Sequence, residues 1–532
     1  MNEHHFVSRR SPVLARHGMV ATSQPLAAMA GLRVLMEGGN AADAAVTTAA
    51  MLNVVEPMST GVGGDCFALI HEASTGRVSA LNGSGRAPAA FTWQEAQRLG
   101  LREIPFTGAL PVTVPGTVSG WEVLLERFGA TSLGERLAPA IRTAEEGFPV
   151  TEQISAAWRD TEEKIVEEPE ASRVYLPAPR PGELHRAPDL ARTLRSIAEG
   201  GSEAFYLGPL AAKIASFVQD KGGYLTTDDL AAHTAGWSDP IATTYRGVEV
   251  LEYPPNGQGL AALLALNVLE AYDLGTMDFF DPTRWHLEIE AVRLAMVDAG
   301  RHVADPEVTD VPVSALVSKE YAARRRKLID PEKALRLAAP GQPEHRDTVY
   351  LTVVDGQGNA VSFISSLYHS FGSGLVVPGT GICLQNRGAC FTLEEGHPNA
   401  LDGGKRPYHT IIPAMALRDG ALRLSFGVMG GFMQPQGHVQ VLSNMLDYGM
   451  NAQTALDAPR FRVDERGGPE ASLEGGVPTE TCKALEEMGH NLRIEPALGS
   501  GFGGGQIIAV HADTGVLEGG SDPRKDGCAV GF

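Results

Sequence analysis

The sequence predicts a mixed α and β chain, α/β in the broad sense and α+β in arrangement, built on antiparallel sheets. Three observations carry this. TVYLTVVD and AVSFISS alternate in hydrophobicity and are joined by the Gly-rich turn GQGN, which reads as a hairpin. CFALI and RVSAL repeat the pattern around Ser74-Thr75-Gly76. Between such pairs lie long stretches with helical spacing.

In chain order, QPLAAMAGLRVLME reads as a helix stopped by Gly38-Gly39-Asn40. AADAAVTTAAMLNVV, residues 41–55, reads as a second, buried helix. The first hairpin follows. From about residue 120 to 330 helical patterns dominate: WEVLLERFG, LAPAIRTAEEG, LAALLALNVLEAYD and WHLEIEAVRLAMVDAGRHV. One strand-like piece, YRGVEVLEY at 245–253, interrupts them. The charged, Pro- and Gly-bearing stretch RRRKLIDPEKALRLAAPGQPEHRD, ending at Asp347, reads as a short helix and then an exposed loop. The hairpin beginning at Thr348 comes next. ALRLSFGVMGG, at 421–431, is a strand running into a double glycine, and GHVQVLSNMLDYG, at 437–449, a helix. QIIAVHADTGVLEGGSDPR closes the chain with another hairpin.

The bulk composition sets limits. The chain has 532 residues, enough for a large core, with 43% hydrophobic and 20% charged residues. A net charge of −20 without a Lys/Arg cluster argues against nucleic acid and anionic membranes as partners. The five cysteines (Cys66, Cys383, Cys390, Cys482, Cys528) are scattered and odd in number, which argues against a disulfide framework or a structural zinc site. The N-terminal stretch lacks the apolar core of a signal peptide, and residues 41–55 are too short to span a bilayer. A cytoplasmic location is expected. TGVGGD (60–65) lacks the spacing of a dinucleotide site, and GSGFGGGQ (499–506) lacks a Walker lysine and reads as a turn before a strand. No HExxH occurs, so neither a catalytic metal nor a cofactor is expected.

The Asp347-Thr348 junction is the point of chemical interest. A threonine hydroxyl needs a base. Its own α-amine would serve, with an ordinary pKa of about 7.7–8.0, but only after the preceding peptide bond is cut. An exposed loop that donates the leaving chain, and a strand that holds Thr348 rigid, suit such a cut.

The order DTVYLTVVDGQGNAVSF, FGSG, KRP, GVMGG and SDPR resembles the γ-glutamyltransferase family of N-terminal-nucleophile hydrolases. The first part of the chain carries HGMVATSQPLAA, GGNAADAAV, TGVGGDCF, VPGTVSGW, LAPAIRTAEEGFPV and PPNGQG in the family's order. The resemblance implies a four-layer αββα sandwich. It also implies a precursor that cuts itself into 1–347 and 348–532, two segments that stay together as one folded heterodimeric unit, with a dimer of heterodimers left open. By resemblance Thr348 is the nucleophile and Ser366 positions its amine. Gly430 and Gly431 hold the oxyanion through backbone N–H groups, for which a strand ending in Gly-Gly is also apt on its own terms.

The glutamyl-reading residues of that family are not matched. Ser84 stands at the place of an arginine, with Arg86 two residues later. Tyr368 stands for an asparagine, Cys390 for the aspartate that pairs with the substrate ammonium, and His409-Thr410 for a serine pair. A neutral thiol cannot replace a charged acceptor for a buried ammonium. Arg86, Tyr368, Arg387, His409 and Thr410 are therefore the candidate pocket residues, and an arginine suits a substrate carboxylate. NGSGRAP with HTIIP most resembles the oxamate amidohydrolase-like branch. The expected activity is hydrolysis of a small anionic amide through an acyl-Thr348 ester. A γ-glutamyltransferase or glutathione hydrolase with an altered pocket is the alternative, and a non-cleaving scaffold the remote one.

Overall fold

The computed structural model describes residues 8, 10–335, 348–464, 468 and 470–532. Two seven-stranded sheets form its centre. One runs Cys528–Gly531, Met19–Thr22, Val349–Val354, Ala360–Ser366, Asp65–Glu72, Arg77–Gly83, Gly236–Ser238. The other runs Val13–Ala15, Leu517–Ser521, Gly504–Val510, Ala421–Met429, Ala414–Arg418, Val248–Glu252, Ile241–Tyr245. Every recorded pairing within both sheets is antiparallel.

The period-2 rule explains the layering. In Val349–Val354, Val349, Leu351 and Val353 pack with the helices Pro25–Met36 and Ala41–Val55. Tyr350 and Val354 point the other way and join Met415, Leu422 and Ile508 between the sheets. Thr352, on that same inner face, bonds Ser425 of the second sheet at 2.6 Å. The second sheet repeats the logic. Ala414, Ala416, Phe426 and Val428 face the helices Gly259–Leu269, Pro282–His302 and Met433–Leu446. The result is the four-layer αββα sandwich, each sheet burying both faces.

The helix Ala41–Val55 begins and ends where expected, buried throughout. Its one charge, Asp43, forms a capping box with Asn40 and accepts the Thr131 hydroxyl at 2.7 Å.

Some local features differ from the expectation. The piece 245–253 is not one strand. Arg246 and Gly247, at φ 50° and 78°, make a two-residue turn between Ile241–Tyr245 and Val248–Glu252. An arginine at the first position of such a turn gives no Asn-Gly cue. The strands Ala414–Arg418 and Cys528–Gly531 come in addition to those expected. The helix read from 437 begins at Met433, because Pro435 sits in its first turn, where a missing N–H costs nothing. A short helix, Lys319–Arg326, precedes the junction. The segment that follows is described as far as residue 335; 336–347, with Asp347, lies outside the described residues. Among the described residues no helix is long and apolar enough to cross a membrane.

Candidate active site

Thr348 stands immediately before the strand Val349–Val354 and is 2% exposed. Ser366 ends the neighbouring strand, and the two hydroxyl oxygens lie 3.2 Å apart. The chain then turns sharply. Tyr368 adopts φ +80°, and in this pose its N–H donates to Ser366 Oγ at 2.7 Å. A left-handed tyrosine is uncommon and must be held by its surroundings. Asn386 Oδ1 accepts from His369 N–H at 3.1 Å, and Lys164 Nζ donates to the Ser370 carbonyl at 2.8 Å.

Arg387 opens a short 3-10 turn and is fully buried. Its guanidinium lies 4.3 Å from the centre of the Tyr368 ring, and Nη1 donates to Thr410 Oγ1 at 2.8 Å. Among the described residues Nε and Nη2 have no hydrogen-bond partner. A buried charged donor left without an acceptor is costly, and this edge of the guanidinium has the fork geometry that matches a carboxylate. Cys390 Sγ lies 3.9 Å from Arg387 Nη1, so the thiol that replaces a carboxylate sits within the same group.

The double glycine follows the strand Ala421–Met429, with φ +128° at Gly430 and +60° at Gly431. A Cβ on Gly430 would come within 3.1 Å of Gly503 Cα. Gln258, which no sequence motif singles out as a site residue, brackets this corner. Its Nε2 donates to the carbonyls of Gly431 at 2.9 Å and Thr410 at 2.5 Å, and its Oε1 accepts the Tyr408 hydroxyl at 2.9 Å. Direct contacts thus join Thr348, Ser366, Tyr368, Arg387, Thr410, Gln258 and Gly431.

His409 joins through Asp65, another residue not expected from the sequence. His409 Nε2 is 3.0 Å from Asp65 Oδ2, and both side chains are fully buried. His409 Nδ1 accepts the Ile411 N–H at 3.4 Å, so Nε2 carries the proton. Asp65 Oδ1 accepts from Gln385 Nε2 at 2.8 Å and Gly85 N–H at 3.1 Å. Burial pushes the Asp65 carboxyl up to about 7, against the opposing pull of Arg387 and these donors. Burial, then Arg387, holds His409 well below the usual histidine range, so its imidazole is neutral.

Arg86 is placed differently. Its guanidinium pairs with Glu307 at 2.6 Å, reaches Asp305 at 3.4 Å and donates to the Gly404 carbonyl at 3.0 Å. It does not enter the Thr348 group by contact. Ser84, at the place of the family's arginine, is buried and bonds Asn82 Oδ1 at 2.7 Å.

A buried set with metal-type donors, His286, Glu290 and His490, lies apart. His286 and His490 are hydrogen-bonded at 2.8 Å and Glu290 is paired with Arg293. That cation neutralises the carboxylate, which weakens the set as a metal site.

An N-terminal-nucleophile hydrolase is the class this fold and this Thr-Ser pair define. Residues 27–532 match the gamma-glutamyltranspeptidase family, and the chain belongs to it. It is 39% identical to the glutathione hydrolase-like YwrD proenzyme of Bacillus subtilis, over 98% of this chain and 99% of that one. It is 36% identical to the oxamate amidohydrolase proenzyme of Klebsiella pneumoniae, with the same coverage. The crystal structure of a cephalosporin acylase from Bacillus halodurans superposes with a TM-score of 0.92 at 46% identity, covering 100% of this chain and 98% of that one. The chain is thus an enzyme of the γ-glutamyltransferase type, and these likenesses do not single out the oxamate branch.

Proposed function

We propose that this protein is a self-processing amidohydrolase for amides whose acyl group carries a free carboxylate and no α-ammonium. Oxamate-like and glutaryl-like amides both fit that description. The observation that supports the reading is Arg387, buried against Tyr368 and Thr410 with Nε and Nη2 unpartnered. Asp65 does not substitute for an ammonium acceptor, because its oxygens are already engaged by His409, Gln385 and Gly85.

The chemistry follows in two stages. In the precursor the Thr348 hydroxyl attacks the Asp347 carbonyl, the acyl group moves from nitrogen to oxygen, and water releases Thr348 as an N-terminus. In the mature enzyme the free amine takes the hydroxyl proton as Oγ1 attacks the substrate amide. Backbone N–H groups of Gly430 and Gly431 hold the developing oxyanion. The Thr348 α-amine passes that proton to the leaving amine, which departs; the same α-amine then deprotonates a water that attacks the ester, and the proton returns to Thr348 Oγ1 as the acid is released. Ser366 holds the Thr348 side in place throughout.

Glutaryl-p-nitroanilide and γ-glutamyl-p-nitroanilide differ only by the α-ammonium, so they test the reading cleanly. An ammonium buried without an acceptor costs at least about 1–3 kcal/mol, roughly ten- to a hundred-fold in kcat/KM. The glutaryl anilide is expected to be the better substrate by about that factor. A tenfold or larger preference for the γ-glutamyl anilide would instead establish the transferase alternative.

A further inference from the structure

Arg387 does not act on a ligand alone, because a second charge is sealed in beside it. Asp65 is fully buried and within electrostatic reach of Arg387. Among the described residues, the other titratable groups around Asp65 are His409 from the segment before Ala414–Arg418, Cys66 next in its own strand, and Tyr206 from the helix Glu203–Tyr206. Burial raises both Cys66 and Tyr206, so both are neutral. Cleavage adds the Thr348 amine beside Ser366, which is paired with Asp65 across the sheet. With that amine unprotonated, as catalysis requires, the empty site balances: one guanidinium, one carboxylate, one neutral imidazole. A substrate carboxylate on Arg387 Nε and Nη2 would set two anions against one cation among buried side chains. Like charges sharing such a site cannot both ionise freely.

We propose that the Asp65–His409 pair is a specificity-determining element of the acyl pocket, taking up one proton when a carboxylate-bearing acyl group binds Arg387 and opposing that binding while it remains ionised. This role rests on the carboxylate specificity proposed for the enzyme. The proton comes from solvent and returns to it on product release; no other bond is made or broken. The geometry can accept it. Asp65 is fixed by Gly85 and Gln385, so it cannot swing away, and His409 Nδ1, with only a 3.4 Å contact to Ile411 N, is a loosely engaged second basic site. The Asp65 carboxyl, raised by burial to about 7, places the exchange near neutrality. Below that pH the pair is protonated and Arg387 is uncompensated, so affinity is highest there and falls as pH rises.

The test is calorimetric binding of three methyl ketones that carry a carboxylate, pyruvate, 4-oxopentanoate and 5-oxohexanoate, to the processed enzyme at pH 6 and pH 8. For those that bind, Kd is expected to rise about tenfold or more between the two, the limit for one linked proton being about tenfold per pH unit. Asp65→Asn should bind at pH 8 about tenfold more tightly than the wild type and lose most of the pH dependence. A gain of affinity is not what loss of a merely structural residue produces. A pH-independent wild-type Kd, or weaker binding by Asp65→Asn, overturns the proposal while leaving the carboxylate reading intact. Failure of all three ketones to bind at either pH sinks that reading, and this proposal with it. If Asp65→Asn does not fold, infrared difference spectra of the wild type decide. Ligand should bring up a protonated carboxyl or an imidazolium, neither of which the Thr348 amine can supply, and absence of both refutes the proposal.

Discussion

Two arginine-centred regions of this molecule look alike in the sequence and differ in the fold. Around Arg86 every charge is answered: Glu307 and Asp305 face it, Arg406 pairs with the same Glu307, and the Gly404 carbonyl takes another N–H. Around Arg387 two donors are left open: among the described residues the fully buried guanidinium gives Nη1 to Thr410 and leaves Nε and Nη2 unpartnered, while the carboxylate within its electrostatic reach, Asp65, is engaged by other groups. Residue type announces a capacity to bind a carboxylate. Only the environment says whether the fold has already used it.

The comparison supposes that chemistry belongs to the Arg387 side, through Tyr368, Ser366 and Thr348. Thr348→Ala tests that supposition with the largest expected effect. It should leave one intact chain on a denaturing gel and lower turnover by about 10⁴-fold or more. Wild type should give two bands, the smaller beginning Thr-Val-Tyr-Leu by N-terminal sequencing, and Thr348→Ser should retain part of both activities. An active, uncleaved Thr348→Ala protein would move the chemistry elsewhere.

The Arg86 side should appear in stability instead, and more modestly. His233, close to Arg86 and Arg406, is held at about 3, chiefly by burial and then by those two cations. His490, in the buried set on the opposite layer, is also near 3, from burial first and then Arg293 and His286. Both folded values are depressed. Their contributions are therefore complete above the ordinary histidine value near 6.5 and are lost as pH falls toward 3. Each unfolded histidine binds a proton its folded form refuses, which amounts to about 1.4 kcal/mol per pH unit over that window. Urea unfolding from pH 6.5 to 4.5 should show the decline. His233→Asn should lessen the slope by about one proton, and an unchanged slope would show that His233 is not held neutral.

Much of the fold was legible because strand alternation is a physical constraint. Val349, Leu351 and Val353 had to face one way and Tyr350 and Thr352 the other, and each side found a separate layer. The turn at Arg246-Gly247 was hidden because a positive φ at arginine has no sequence cue. Thr348, Ser366 and Gly430-Gly431 could be singled out from their motifs. Asp65 and Gln258 could not, although both lie in recognisable motifs, since what defines them is contact at long range. Asp65 meets His409 across 344 residues, and Gln258 meets Gly431 across 173. An aspartate directly before the apolar run CFALI was the one available hint.

The most direct measurement is kcat/KM for glutaryl-p-nitroanilide and for the uncharged butyryl-p-nitroanilide, on wild type, Arg387→Ala and Arg86→Ala, each in processed form. Arg387→Ala should lose about ten- to a hundred-fold on the glutaryl substrate, mainly through KM, and little on the butyryl one. Arg86→Ala should change the ratio of the two by less than about threefold, because its charge is already engaged by Glu307 and Asp305. If Arg86→Ala collapses the ratio and Arg387→Ala leaves it standing, the acyl carboxylate is read by Arg86, and Arg387 has no part in substrate choice.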